Sequence, residues 1–259
     1  MASSLRTLDD AAAFVERAGV ALAYPKADLV LPSLWEAIAG PRPVEWAIRD
    51  ARGEFVSFTP EFDAVWRWKD ELPERGLACG GKHVGGAAAF IAPGLLACFY
   101  ALTGRRGRPE DFRDADLTPL QREVAEAVLE HGPATGPELR QLLGTADKRG
   151  VEAATTALQR QFVLTSAGSV QPERGWAAIS LDILPRRWLD SLSSLPPVAE
   201  AKARIAETVL GTAGELSAAD LAGVLGGRVR ASAAILEELA ERGLASVRDE
   251  DGIAIFAPR

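Results

Sequence analysis

Two stretches, "TGPELRQLLG" at residues 135–144 and "LSAADLAGVLG" at residues 216–226, are copies of one pattern. Each contains a Thr or Ser near its start, continues with apolar residues at helical spacing and closes on a glycine. Further along, "VEAATTALQRQFVLTS" (151–166) aligns with "VRASAAILEELAERGLASV" (229–247), which extends the similarity through a longer helix. The C-terminal half of the chain is therefore predicted to be an internal repeat.

The first copy predicts three helices followed by two strands. Its first helix begins after Thr118 as N-cap, with Pro119 at the first helical position. A second helix is predicted over 137–143 and a third over 148–161. "FVLTS" and "WAAISLDI" indicate strands around the polar turn "AGSVQPERG". Three helices and a two-stranded wing are typical of a winged helix.

The second copy repeats this order. Helices are predicted over 198–210, 217–225 and 228–242, and "LASVRDEDGIAIFA" (244–257) predicts two strands around an Asp-Gly hairpin turn. The stretch "SLSSLPPV" (191–198), rich in Ser and Pro, is predicted to link the two copies.

Residues 1–115 mix helices and strands without the clear repeat. A helix should end at Gly19, another should begin after Thr59, and "GLACGGKHVGGAAAFIA" (76–92) indicates two short strands around a turn. The predicted fold is α+β and mostly helical, with three stacked winged-helix-like domains and short β-hairpin wings. The predicted domains are 1–115, 116–190 and 196–259.

The composition indicates a globular chain with an acidic balance of charge. Hydrophobic residues make up 47% of the sequence, charged residues 25%, and the net charge is −7. No apolar run is long enough for a membrane span, and the acidic N-terminus does not resemble a signal peptide, so we expect a cytoplasmic protein. The acidic balance excludes a simple nucleic-acid coat and restricts any DNA contact to local basic patches such as "TGRRGR" (103–108) and "DKRG" (147–150).

Three blocks along the chain carry a resemblance to a known family. They are "FVERAGVALAYPKADLVLPSLWEAI" (14–38), "WRWKDELPERGLACGGK" (66–82) and "LLACFYALTG" (95–104), followed by a winged helix. This order resembles the AlkZ-related group within the tandem winged-helix superfamily of bacterial AlkZ and YcaQ DNA glycosylases. The resemblance covers most of residues 5–190 and implies DNA binding through stacked winged helices, with a role in DNA repair.

The resemblance does not extend to the family's catalytic motif. True glycosylases of this superfamily carry a Gln-hydrophobic-Gln or Gln-hydrophobic-Asp motif in their N-terminal part, whereas residues 1–115 contain no glutamine. The one Gln-x-Gln sequence, Gln159 to Gln161, lies at the end of a helix in the middle domain with an arginine between, so no catalytic residue is assigned. Neither a metal site nor a cofactor is predicted, because Cys79 with His83 lacks the number and spacing of zinc ligands.

Candidate DNA contacts come from four places in the chain. The third helix of each copy would be the recognition element. In the last copy this helix begins with arginines but carries Glu237, Glu238 and Glu241 further along, and these would repel DNA. That last domain is therefore predicted to bind either phosphates, at the start of its helix, or a protein. The predicted DNA-binding residues are Trp68, Lys69, Lys82, His83, Lys148, Arg149, Thr156, Gln159, Arg228 and Arg230.

Two of these places admit two interpretations. Trp68 lies about 200° around its helix from Trp66, so it could stack on an exposed base or be buried against a neighbouring domain. "LACGGKHVGG" (77–86) lacks the Ser or Thr of a phosphate-binding P-loop and indicates a hairpin. Lys82 and His83 would contact phosphates if this hairpin is a wing, whereas Lys82 would only be solvated if the hairpin packs on its own domain.

The sequence thus predicts a non-catalytic, DNA-binding tandem winged-helix protein linked to DNA repair. One alternative is a DNA glycosylase that excises damaged bases with residues the sequence does not identify. The other is a winged-helix scaffold that binds proteins, since acidic winged helices often do so.

Overall fold

The computed structural model describes residues 5–171 and 175–259, and its fold is α+β. The strands form small antiparallel sheets of two or three strands, and helices account for most of the remaining regular structure. We refer to residues 5–115 as the N-terminal segment, 116–190 as the middle segment and 196–259 as the C-terminal segment. Among the helices of the described residues, none has the length and apolar character needed to cross a bilayer.

The N-terminal segment contains four helices and five short strands within its described residues. They are, in chain order, α1 (Leu8–Ala18), β1 (Val20–Leu22), α2 (Leu34–Ala39), β2 (Ala47–Arg49), β3 (Phe55–Phe58), α3 (Pro60–Glu74), β4 (Cys79–Gly81), β5 (Ala89–Ile91) and α4 (Pro93–Ala101). A 3₁₀ turn follows at Asp111–Asp114. Strand β5 lies between β1 and β4, while β2 and β3 form a separate two-stranded hairpin.

Helix ends in this segment follow the sequence signals. The Thr59 hydroxyl accepts the backbone N–H of Phe62 at 3.3 Å, and Pro60 occupies the first helical position of α3. Helix α1 ends at Gly19, whose φ of 70° is a conformation that L-residues rarely adopt. The pairing of Cys79 with Ile91 and of Gly81 with Ala89 makes 76–92 the expected hairpin.

The middle and C-terminal segments have the same order of elements. The middle segment contains α5 (Pro119–His131), β6 (Ala134–Thr135), α6 (Gly136–Leu142), α7 (Lys148–Arg160), β7 (Leu164–Val170), β8 (Ala178–Ile183) and α8 (Leu184–Arg187). The C-terminal segment contains α9 (Val198–Ala213), β9 (Leu216–Ser217), α10 (Ala218–Leu225), α11 (Val229–Glu241), β10 (Ala245–Glu250) and β11 (Ile253–Pro258). In each sheet the second strand of the long hairpin lies in the centre, flanked by its partner and by the two-residue strand.

The hairpin of the middle segment differs from its prediction. Strand β7 continues to Val170, so "AGSV" (167–170) belongs to the strand and not to the turn. The pairing of β7 with β8 is irregular between Ser166 and Ser169, where Gly168 has a φ of 109° and lies close to Glu74 of α3. Residues 172–174 of the predicted turn lie outside the described residues.

The packing of the three segments does not follow their order in the chain. The middle segment has its own apolar core, and a second core joins α1, α2 and α3. The largest core combines the apolar residues of α4 with those of α9, α10 and α11. The N-terminal segment therefore lies between the other two, contacting the middle segment through α3 and β4 and the C-terminal segment through α4.

Candidate nucleic-acid interface

A cleft of about 540 Å³ lies between the N-terminal and middle segments. Its walls are the β4–β5 hairpin and α3 on one side and α6, α7 and β8 on the other. Its cationic side chains come from separate parts of the chain and are Lys69, Lys82, Arg140 and Lys148. Glu152 is the acidic residue among the lining residues. The fold thus brings several positive charges to one concave surface of an acidic protein.

The hairpin loop presents Lys82 at the edge of this cleft. The Lys82 backbone N–H donates to Oε1 of Gln159 at 2.9 Å, and its ammonium donates to the Thr156 hydroxyl at 3.3 Å. The hairpin is therefore docked on α7 of the middle segment, which neither of the two sequence interpretations anticipated. Lys82 is exposed and Thr156 half-buried, so the lysine charge remains accessible to a ligand.

His83 is buried, and the expectation that it contacts a phosphate is wrong. Its side chain is 6% exposed, its Nδ1 lies 2.7 Å from the backbone oxygen of Gln159, and its ring stacks on Phe162 with centroids 4.9 Å apart. Burial lowers the pKa of His83 to about 4, so the ring is neutral near pH 7 and its Nδ1–H donates to that carbonyl. This histidine fixes the hairpin to α7.

Gln159 is likewise unavailable for reading bases. It is 7% exposed, and its amide donates to the carbonyl of Thr155 at 3.2 Å while its Oε1 accepts from Lys82. Helical periodicity placed this residue on the outer face of α7, but the hairpin covers that face. The prediction of a base contact at Gln159 is wrong for this reason.

Trp68 belongs to the core of the N-terminal segment. It is 3% exposed and packs with the apolar residues of α1 and α2, so the prediction that it stacks on a base is wrong. Lys69 lines the cleft as expected, but its ammonium lies 2.5 Å from Asp70 and 4.6 Å from the ring centroid of Trp66. Its side chain is only 13% exposed.

The start of α7 carries the other predicted cations of the middle segment. Lys148 and Arg149 are both exposed, and Lys148 lines the cleft. Glu152 lies 3.7 Å from the Lys148 ammonium. Both side chains of this pair are largely solvated, so it is weak and leaves Lys148 free to contact a ligand.

Arg228 and Arg230 lie apart from the cleft. Both are exposed at the start of α11 in the C-terminal segment, and neither lines the cleft. Both arginines lie at a helix N-terminus, where the helix dipole favours an anion.

Two residues of the cleft were missed by the sequence interpretation. Arg140 lies on α6, one residue after the buried Leu139, and nothing in its local sequence distinguishes it from a solvated surface charge. The sequence predicts Trp176 as the start of a strand, but it precedes β8 and is 70% exposed. Its position directly after a polar turn was the one sequence feature that could have indicated an exposed aromatic side chain.

A second depression, of about 650 Å³, surrounds "TGRRGR" (103–108) and carries mixed charge. The Asp111 carboxylate accepts the backbone N–H groups of Arg106 and Arg108 at 2.6 and 3.0 Å. The Arg105 guanidinium donates to the backbone oxygen of Gln161. Because acidic side chains also line this depression, it is less suited to a polyanion than the cleft is.

Both cysteines of the chain lie in the protein interior. Cys79 and Cys98 are free and buried, and burial raises the pKa of the Cys79 thiol to about 12. Over residues 5–171 and 175–259, the His, Cys, Asp and Glu side chains form no group of three or more that could hold a metal ion.

Comparison with known proteins gives one family and one structure. A family model described as "AlkZ related" matches residues 5–226. A solved structure described as the Streptomyces sahachiroi DNA glycosylase AlkZ matches with a TM-score of 0.52 and 17% sequence identity, covering 98% of this chain and 65% of that chain. The chain thus spans about 65% of the length of the protein whose fold it shares. No curated protein matches the chain.

Proposed function

The chain belongs to the AlkZ-related family, and from that premise we propose that it is a DNA-binding protein linked to DNA repair. The observation that carries the proposal is the convergence of Lys69, Lys82, Arg140 and Lys148 on one cleft. These residues come from α3, the hairpin loop, α6 and α7, so the grouping is a product of the tertiary fold.

The state of these cations supports a phosphate-binding role. Among the described residues, neither Lys82 nor Arg140 forms a salt bridge with a carboxylate, and the Lys148 pair is solvent-exposed. An acidic protein repels DNA at long range, so binding must depend on a few local contacts of this kind. We therefore expect the affinity to fall steeply as salt is raised.

We propose that the domains are 1–115, 116–190 and 196–259, and that each is related to a winged helix. The support for the last two domains is their shared order of elements, in which three helices precede a long hairpin and a two-residue strand completes the sheet. In the first domain the support is weaker and consists of α3, the β4–β5 hairpin and the third strand β1.

In this arrangement Thr156, Lys148 and Arg149 of α7 would contact the DNA backbone beside Lys82. Arg228 and Arg230 would supply a second set of phosphate contacts from α11, because they are exposed at its start. The buried residues Trp68, His83 and Gln159 have no direct part in binding.

We further propose that binding occurs without base excision. The carboxylate at the cleft, Glu152, is exposed and only weakly paired with Lys148 at 3.7 Å, while the nearby Asp70 is held by Lys69. The Gln159 amide is buried and occupied by the backbone of Thr155 and Lys82. We infer that none of these groups activates water, because Asp70 and Gln159 are engaged by neighbouring groups and Glu152 is a solvated surface carboxylate. Alkylated and crosslinked duplex incubated with the protein should release no base above a mock control, and time-dependent release would refute this part.

The DNA-binding proposal is tested with Lys82→Glu. Fluorescence anisotropy with labelled duplex, measured across a salt series, should show weaker binding and a salt slope smaller by about one phosphate contact. Arg17→Glu provides a matched control, since it reverses an exposed charge on α1 that does not line the cleft. Equal affinity and slope for both variants and the unmodified protein would show that the cleft does not bind DNA.

A further inference from the structure

A group of aromatic side chains lies on the surface next to the cleft. The aromatic surface consists of Trp46, Phe55, Phe58 and Trp176. Trp46 is 46% exposed, Phe55 49% and Trp176 70%, while Phe58 is half-buried. Soluble proteins rarely expose several large aromatic rings next to one another. A contiguous exposed apolar patch of this kind commonly marks a binding site.

The rings form a continuous series across two segments. Trp46 and Phe55, on or beside the β2–β3 hairpin, are stacked with centroids 5.9 Å apart and an interplanar angle of 19°. Phe58 contacts Phe55 at 5.3 Å and Trp176 of the middle segment at 5.8 Å. The aromatic surface therefore extends from the tip of the N-terminal hairpin to the edge of the cleft.

Two half-buried rings on α3 support this surface. Phe62 lies 5.2 Å from Phe58, and Trp66 stacks on Phe62 at 5.8 Å and contacts Trp176 at 6.2 Å. Because α3 carries Phe62 and Trp66, Phe58 and Trp176 rest on rings that a helix holds in place. Such pre-positioning reduces the entropy lost when a ligand stacks on them.

Cations accompany the rings at both ends. The Arg49 guanidinium lies 5.2 Å from the Trp46 ring centroid, and the Lys69 ammonium lies 4.6 Å from that of Trp66. Lys69 and Trp176 also line the cleft, so the aromatic surface and the cationic cleft are one continuous feature. Aromatic rings beside cations, leading into a row of cations, match a ligand with flat faces and regularly spaced negative charges.

We propose that the aromatic surface binds unpaired DNA bases, while the cleft holds the phosphates of the same strand. This inference rests on the proposed DNA binding and adds a preference for DNA with a single-stranded or bulged portion. Base stacking on aromatic side chains has this form in proteins that bind single strands. An apolar protein partner would use the rings but not the adjoining cations, so the charges favour nucleic acid.

The test compares three labelled DNAs: a short duplex, the same duplex with a central run of unpaired thymidines, and the single strand. The protein should bind the bulged duplex and the single strand more tightly than the intact duplex. Trp176→Ala and Phe55→Ala should each lower the affinity for the bulged duplex and the single strand at least about fivefold. The affinity for the intact duplex should remain nearly unchanged. Both residues are outside the cores, and circular dichroism should confirm folding.

Two further variants separate stacking from a structural effect. Trp176→Phe keeps a ring and should restore most of the affinity for unpaired DNA. Val56→Ala removes an apolar side chain that is 59% exposed and lies next to Phe55 on β3. This change should not alter the affinity for any of the three DNAs.

Each other outcome overturns the proposal in a distinguishable way. Duplex binding with no preference for unpaired DNA, or no effect of Trp176→Ala and Phe55→Ala, overturns the aromatic site and leaves the proposed function intact. Absence of binding to all three DNAs overturns both. A change in oligomeric state caused by Trp176→Ala, without any change in DNA affinity, would assign the aromatic surface to a second copy of the chain.

Discussion

Acidification should weaken the docking of the hairpin on α7, because it places a charge on the buried ring of His83. The neutral ring donates from Nδ1 to the carbonyl of Gln159, stacks on Phe162 and lies with Nε2 3.7 Å from the Cys79 sulfur. The perturbation is therefore a change of pH, with His83→Asn as the variant that cannot titrate. An asparagine amide can still donate to the Gln159 carbonyl.

The magnitude follows from the difference in pKa between the folded and unfolded chain. Burial lowers the pKa of His83 from 6.5 to about 4, against the opposing effect of hydrogen bonds to the carbonyls of Gln159 and Gly80. Below pH 6.5 the unfolded chain binds a proton that the folded chain does not, so the free energy of unfolding falls as the pH falls. The loss is complete near pH 4 and amounts to about 3 kcal/mol.

The assay is urea unfolding at a series of pH values from above 6.5 down to about 4, for the unmodified protein and His83→Asn. Carboxylates that also lose stabilising contacts in acid are common to both proteins and cancel in the difference. The free energies of unfolding should converge as the pH falls. His131→Asn provides a matched control, because it removes a histidine that is exposed. Its pH curve should run parallel to that of the unmodified protein.

Parallel pH curves for the unmodified protein and His83→Asn would contradict a lowered pKa for His83. They would show that His83 is protonated at the same pH in the folded and unfolded chain. The ring would then have to be accessible to water, contrary to its 6% exposure.

Three other changes test the contacts between segments and the cleft. Arg187→Ala should lower the free energy of unfolding by about 1.5–3 kcal/mol, measured by urea unfolding, because Arg187 donates to the last carbonyls of α3 at 2.5 and 2.6 Å. Gly86→Ala should lower the melting temperature, since Gly86 has a φ of 69° and an added Cβ would lie 2.1 Å from the Arg160 guanidinium. Lys148→Glu combined with Arg149→Glu should weaken duplex binding at least about tenfold in anisotropy titrations; unchanged binding would move the site elsewhere.

Local signals in the sequence were sufficient for most helices and hairpins. Thr118 followed by Pro119 starts α5, and the Asp-Gly turn at 251–252 joins β10 to β11. The two-residue strands β6 and β9 were missed because two residues carry no periodicity. The extension of β7 was missed because its Gly and Ser residues are typical of turns, whereas here they form an irregular strand against α3.

The site was predictable where the side chain is exposed, and it was misjudged where distant residues bury the side chain. Lys82, Lys148 and Arg149 are exposed as expected from the sequence. Gln159 and His83 were misplaced because the residues that bury them are more than seventy positions away in the chain. Helical periodicity correctly separated Trp66 from Trp68 but could not tell which of the two faces was covered.

The core shared by α4 and α9 bears on how the protein is made. A chain synthesised from its N-terminus produces the apolar helix α4 long before α9, against which it packs in the folded protein, has been made. In the nascent chain the part of α4 that packs on α9 stays open while the middle segment is translated. We expect nascent chains that end before α9 to aggregate or to recruit chaperones, and the protein to reach its final packing only after α9, α10 and α11 have been made.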